Sequence, residues 1–318
     1  MTSRRMLRAE RLLMMAIELD QAPEAVWDAV DELADDRLGT LLEILRIAPS
    51  GSSIPEAAWK RAVTPARLRA LIDAETPDLE TLERVLARIG ESDAGVLLDL
   101  LAESDSLATR KRLFTRLVEL APRIGPDIVR RMTDDRWYAR RNMLALLGEI
   151  PSWPPKWTPA AHADDRHPAV RREAYKLMLR DERTRDRAVC GLLEDPDRKA
   201  RSLGLAAAIT QCPPEAIHLL SNLALDESVS NELRLMAVRG LGQTADAGAI
   251  ETLVALVRRG SGIGRNRLAE KTPLMLAALQ ALATLPEATP DSKKLIARAA
   301  KSSDPAIRAA VGARPPGR

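Results

Sequence analysis

Phenylalanine occurs once in this 318-residue chain, tyrosine twice and tryptophan five times. An interior so poor in aromatics has to be filled by Leu, Ala, Val, Ile and Met, which interlock on helices more readily than on sheets. Only two cysteines are present, Cys190 and Cys212, with no CxxC and no Cys/His cluster. That excludes a disulfide framework and a zinc module, and it fits a reducing compartment. The three histidines, His162, His167 and His218, are scattered. His162 and His167 stand beside Asp164 and Asp165, but H-x4-H without cysteine reads as solvated turn residues. Also missing are GxSxG, HExxH and a Walker A motif, so no metal, cofactor or catalytic residue is expected. No run reaches 18 apolar residues, which excludes a helical membrane span. "MTSRRMLRAERLLMMAIELD" is no secretory signal, because Glu10, Arg11 and Glu18 interrupt its apolar stretch. It reads as an amphipathic first helix in a cytoplasmic protein.

What the chain has in quantity is charge and helical periodicity. Residues 1–100 hold 12 basic and 19 acidic side chains, residues 101–201 hold 22 and 16, and the remainder holds 14 and 10. An acidic third thus precedes a basic remainder, an asymmetry that bears on partners rather than on fold. In "PDLETLERVLARIG", Leu79, Leu82, Val85, Leu86 and Ile89 share one helical face, and Gly90 supplies the stop. Helix starts are marked by Thr64-Pro65, Thr76-Pro77, Asp195-Pro196, Thr272-Pro273, Thr289-Pro290 and Asp304-Pro305. In each, a side-chain oxygen can accept from first-turn amides, and proline has no donor to waste there. The expected fold is all-α, with helices of about 10–16 residues joined by short turns.

One phrase recurs. Asp105, Asp135, Asp165 and Asp195 are spaced by thirty, and six residues after each comes a base: Lys111, Arg141, Arg171 and Arg201. Each base opens an apolar run, and a second short helix such as "GPDIVRRMTD" fills the interval. A one-residue slip that puts Arg140 in place of Arg141 leaves the period intact. Repeating helix pairs cannot cover their own apolar faces and must stack on their neighbours. The acid–base ladder is therefore expected to be structural, each aspartate bonding in its turn to backbone or to a base of its own or the next repeat.

"DPDRKARSLGLAAAI", "HPAVRREAYKLM" and "ELRLMAVRGLGQ" resemble the second helices of HEAT repeats, including the HEAT-like form of phycobilin lyases. The resemblance covers roughly residues 76–314 and implies an α-solenoid, a superhelix of stacked antiparallel helix pairs. Residues 1–75 match it weakly and read as degenerate or capping repeats; residues 315–318 read as a disordered tail.

Two segments stand out as contact candidates. In "RWYARR", Trp137 and Tyr138 lie among Arg136, Arg140 and Arg141, a combination suited to gripping a peptide or stacking on bases. "PSWPPKWTP" sets Trp153 and Trp157 in a proline-rich connector, either presenting the indoles or clamping back onto the repeats. "GSGIGRNRLAEKTP" lengthens one repeat and reads as a surface loop. Together these features suggest a non-enzymatic protein–protein interaction scaffold that holds its partner on a concave face through Trp137, Tyr138, Arg140, Arg141, Trp153 and Trp157. The alternative is nucleic-acid binding through the basic middle segment, since HEAT-like repeats also build alkylpurine DNA glycosylases. A lyase is a more distant reading, carried only by the family resemblance.

Overall fold

In a computed structural model the chain is all-α, with no strand among the described residues. Described are residues 2–74, 78–103, 107–258, 267–286 and 289–312, with only the backbone for 2–7 and 73. The helices fall into two compact units that meet at Trp157/Thr158. The boundary at 75/76 expected from the sequence falls inside the first of these units.

The first unit contains α1 (Thr2–Leu19), α2 (Glu24–Asp36), α3 (Leu38–Ile47), α4 (Ile54–Ala62), α5 (Pro65–Asp73), α6 (Leu79–Arg88), α7 (Ala94–Glu103), α8 (Leu107–Arg130) and α9 (Trp137–Leu147). The first helix is amphipathic as read, burying Ala9, Leu13, Ala16 and Ile17. Its stripe packs on α2, whose Val26, Ala29, Val30 and Leu33 are buried in turn.

One helix departs from expectation. The sequence suggested a break before "GPDIVRRMTD", yet α8 runs unbroken for 24 residues through Pro122 and Pro126. An internal proline costs about 3 kcal/mol. Here Leu113, Leu117, Leu120, Ala121, Ile124 and Ile128 stay in phase on one buried face. Burying a single large aliphatic side chain contributes roughly 1.5–3 kcal/mol, so the continuous stripe outweighs two prolines.

The second unit contains α10 (Pro168–Met178), α11 (Glu182–Glu194), α12 (Arg198–Thr210), α13 (Ile217–Leu225), α14 (Asn231–Leu241), α15 (Ala247–Val257), α16 (Pro273–Thr284), α17 (Pro290–Ala300) and α18 (Pro305–Gly312). Here the repeat is plain. Helices α11, α13, α15 and α17 form one row, α12, α14, α16 and α18 form a second, and each member of one row packs on its partner in the other. This is a helical repeat with a solenoid-like two-layer stack. One continuous core runs between the rows, from Val189 and Leu205 through Leu220, Leu241 and Leu253 to Leu279 and Leu295.

Capping follows the sequence at most starts. Thr64, Thr272 and Thr289 accept from the amides of Arg67, Met275 and Ser292, and Asp304 from those of Ala306 and Ile307. Thr76-Pro77 lies outside the described residues, and α6 is capped by Asp78 through the Thr81 amide at 3.0 Å. Asp195 is a correction: α12 starts at Arg198, and its cap is Asp197, which accepts from the Ala200 amide at 3.0 Å. Asp195 is occupied in the turn before it. The insertion after α15 closes on an isolated bridge between Arg258 and Leu268, while residues 259–266 lie outside the described residues.

The rows approach closely where side chains vanish. A Cβ on Gly204 of α12 would lie 2.7 Å from the Leu192 Cβ and 3.1 Å from the Leu193 nitrogen of α11. Gly204→Ala should therefore push the two helices apart and cost about 1–3 kcal/mol, measured by urea denaturation. An unchanged midpoint would mean that this contact is not the tight one.

Candidate functional site

Turn aspartates recur along the chain, and the first described one is Asp134 rather than Asp135. Asp134, Asp165, Asp195 and Asp226 each accept from the amide two residues on, at 2.8 Å in all four cases. Such a turn satisfies an amide that the incoming helix leaves unpaired. At the first two of these corners the arginine six positions later reaches back. Arg140 donates to the carbonyls of Asp134 (2.7 Å) and Asp135 (2.9 Å), and Arg171 donates to those of Asp165 (2.9 Å) and Arg166 (3.3 Å). Arg308 repeats the device on Ser302 and Ser303. The pair first read as Asp135 and Arg141 is thus Asp134 and Arg140. Asp135 is exposed, and Arg141 lies half-buried one position along α9. Its neighbour carries the backbone bonds because only position 140 turns inward, where it is buried. Asp105 lies outside the described residues. Lys111 is exposed on α8 and reaches no turn carbonyl among the described residues. Arg201 lies half-buried on α12 with its Nε buried and without a hydrogen-bond partner among the described residues, so Asp195 is held by Arg171 instead.

Arg171 does more than close its own turn. Its Nε and a terminal nitrogen grip both oxygens of Asp195 at 2.7 and 2.8 Å, tying one turn to the next. The Asp195 side chain is 2% exposed and that of Arg171 15%. Burial pushes the Asp195 carboxyl up, but the Arg171 fork and the Asp197 amide outweigh it and leave it below the usual carboxylate range. Arg172 repeats the tie on Asp197.

Elsewhere in each unit several further ion pairs carry a similar stride. Arg61 meets Asp31, Arg67 meets Asp35, Arg88 meets Glu56 and Arg131 meets Asp99 in the first unit. Arg198 meets Glu232, Arg258 meets Asp291 and Lys271 meets Asp304 in the second. Each links positions 30 to 34 residues apart.

Of the contact candidates, Trp137 and Tyr138 open α9 with 38% and 40% of their surfaces exposed. Their rings meet edge to face, with centroids 5.7 Å apart. Arg136, itself forked onto Asp134, stands over the Tyr138 ring at 5.9 Å. The pair is therefore presented together at the start of α9. Arg140 is not part of that surface. Trp153 and Trp157 are half-buried against each other, with centroids 5.6 Å apart, and the Trp153 indole donates to the Leu147 carbonyl at 3.0 Å. Pro154 fills the space over Gly125 of α8. The connector thus clamps onto the first unit's own helices.

Neither cysteine is tuned for nucleophilic chemistry. Burial and the neighbouring Cys190 push the Cys212 thiol up to about 11, and burial also raises Cys190. A reactive cysteine needs the opposite shift. His167 accepts the Ala169 amide through Nδ1 and caps α10. No group of three His, Cys, Asp or Glu side chains is placed to hold a metal ion among the described residues.

Two grooves were not legible as sites. In the first unit, α6 and α8 border a space of about 550 Å³ lined by Glu83, Lys111, Arg112, Arg116 and Glu119, where Arg112 pairs with Glu83 and Arg116 with Glu119. In the second, Arg267, Lys294, Arg298, Lys301, Ser302 and Ser303 line about 790 Å³ with no carboxylate among them. The signal for it was "SKKLIARAAKSS", 292–303, with four bases and no acid.

No protein-family model matches the chain, and no curated protein matches it. Among solved structures, a crystal structure described as an engineered protein is 16% identical, over 94% of this chain and 97% of that one, at a TM-score of 0.39. That likeness is too slight to carry fold detail or function.

The Arg171–Asp195 tie makes two predictions. Arg171→Ala leaves a buried carboxylate uncompensated and should cost about 3 kcal/mol in urea denaturation at pH 7; a loss within experimental error would place the fork outside the stabilising set. The Asp195 carboxyl is held below its ordinary value of 3.8. Its contribution is accordingly complete well above that pH and disappears as pH falls through the lower folded value. Stability should hold from pH 7 to about 5 and drop below about 4, and Asp195→Asn should flatten that drop. An acid limb of the same depth in both proteins would contradict the assignment.

Proposed function

We propose that the protein is a non-enzymatic, HEAT-like scaffold that binds another protein, with Trp137 and Tyr138 as its anchors. The observation that carries this reading is the exposure of that pair in a chain with so few aromatics. Amphipathic aromatic side chains that are held in one geometry and left half in solvent are the usual anchors of protein interfaces. Arg136 borders them, and Arg140 acts from beneath by fixing the first turn of α9 rather than by touching the partner.

The arginines of the middle segment favour this reading over phosphate binding there. Arg116, Arg131, Arg136, Arg140, Arg171 and Arg172 are spent on carbonyls and carboxylates of their own unit. The raised thiols of Cys190 and Cys212 and the capping role of His167 weigh against a lyase or another nucleophilic enzyme. Trp153 and Trp157, half-buried against each other, are left out of the proposed surface.

The test is affinity capture with the intact chain and with Trp137→Ala/Tyr138→Ala, followed by titration of the captured protein. Loss of an aromatic anchor is worth about 2 kcal/mol, so the double variant should bind at least 30-fold more weakly with its melting temperature unchanged. Equal capture by both proteins would overturn the assignment of the anchors.

A further inference from the structure

Burying a polar side chain without a hydrogen bond costs free energy, and folded chains do it rarely. Aromatic residues aside, seven polar or charged residues are buried among the described ones, and six of them are engaged. Thr81, Thr252 and Ser292 bond through their hydroxyls, Arg140 and Asp195 hold the turns, and Thr109 also has a partner. The seventh is Asn142 of α9, which is 7% exposed and whose amide makes no hydrogen bond among the described residues. Asparagine is also a poor helix former, so in the free chain this residue contributes neither propensity nor pairing. The amide is not sealed in the core, however, since neither of its polar atoms is fully enclosed.

Its position on the helix says what it faces. Four residues carry a helix about 6 Å along its axis and roughly 40° around it, so Asn142 follows Tyr138 on the same side. Helical side chains lean back toward the N-terminus, which brings the amide toward the Tyr138 ring. The exposed stripe of α9 runs through Trp137 and Tyr138 to the half-buried Arg141 and Ala145, and Asn142 forms its edge, next to the buried Leu146. A carboxamide presents an acceptor beside a donor, the complement of the N–H and C=O groups of a peptide chain. Inside a helix or a paired strand those groups are already bonded, so the segment that answers Asn142 is extended, with its peptide group unpaired there. Arg141 makes no ion pair among the described residues and favours a carboxylate on that segment. Arg136 and Arg140 are engaged within the unit, so a phosphate chain would find little beside the rings. We propose that the partner lies on this face as an extended, acid-bearing peptide segment. The Asn142 amide holds one of its main-chain peptide groups, and a neighbouring side chain rests on Trp137 and Tyr138. This inference rests on the assignment of those two residues as anchors.

The probe is a random peptide library displayed on phage and selected on the intact chain, from which the enriched peptides are synthesised and titrated. Asn142→Ala removes the amide without enlarging the side chain and should weaken their binding about tenfold. Its melting temperature should hold or rise, because no internal hydrogen bond is lost and alanine is the better helix former. N-methylation of the peptide, one internal position at a time, gives a second readout on the intact protein. One position should be sensitive to a similar degree, and that sensitivity should vanish in Asn142→Ala. A merely structural asparagine would instead lower the melting temperature and leave the N-methyl pattern in place. The proposal is overturned if no library member binds, if Asn142→Ala binds as the intact chain does, or if every position tolerates N-methylation equally. It also fails if single-stranded oligoadenylate binds more tightly than the peptides, which would reassign the face to nucleic acid. Should Trp137→Ala/Tyr138→Ala bind the peptides as the intact chain does, the anchors themselves are wrongly assigned; if that variant is weakened and Asn142→Ala is not, only the present inference falls.

Discussion

Every helix pair in this molecule depends on its neighbours to keep water off one apolar face, and the turns are where that dependence is fixed in register. At Asp134 and Asp165 the turn aspartate closes the backbone entering the next helix, and Arg140 and Arg171, six residues on, tie back to the same corner. At Arg171 the guanidinium also reaches the aspartate of the next corner, so one side chain sets both its own turn and the spacing to the following pair. Side chains such as Leu205, Leu220 and Leu241 can stay dry only while that spacing holds, because each is covered from two successive layers.

The rhythm was legible because it is written in polar residues that cannot drift. Asp165 and Asp195 share one turn geometry thirty residues apart, and Arg171 bridges them. The shift from Asp135 to Asp134 was not legible, since two adjacent acids precede two nearby arginines and spacing alone cannot say which of each points inward. The unbroken α8 was hidden for another reason. Prolines at 122 and 126 argue locally for a break, and only the phase of the apolar stripe around them, felt through tertiary packing, overrules it. Asp195-Pro196 failed as a helix start because its carboxylate has a stronger partner in Arg171 than any first-turn amide, and Asp197 takes the vacated position. The presentation of Trp137 and Tyr138 could not be read either, as the same two letters serve equally well in a core.

Most of the charge described in the two units serves the repeat itself. Ion pairs with a stride near thirty residues recur in both units, including Arg61 with Asp31 inside the weakly patterned beginning of the chain. Those charges belong to the repeat. Against that background, the exposed aromatic pair at the start of α9 is the departure on which the proposed function rests. An overall basic balance says little by itself; which bases are already occupied says much more.

The claim on which this account rests is that turn-to-turn ties between a buried aspartate and an arginine hold the repeats in register. A double-mutant cycle on Arg171→Gln and Asp195→Asn, read by equilibrium denaturation at neutral pH, measures that tie without counting each residue's other contacts. The account predicts a coupling of about 1.5–3 kcal/mol between the two positions. Additive losses, with a coupling near zero, would show that the corners are held by apolar packing alone and that the acid–base ladder merely accompanies it.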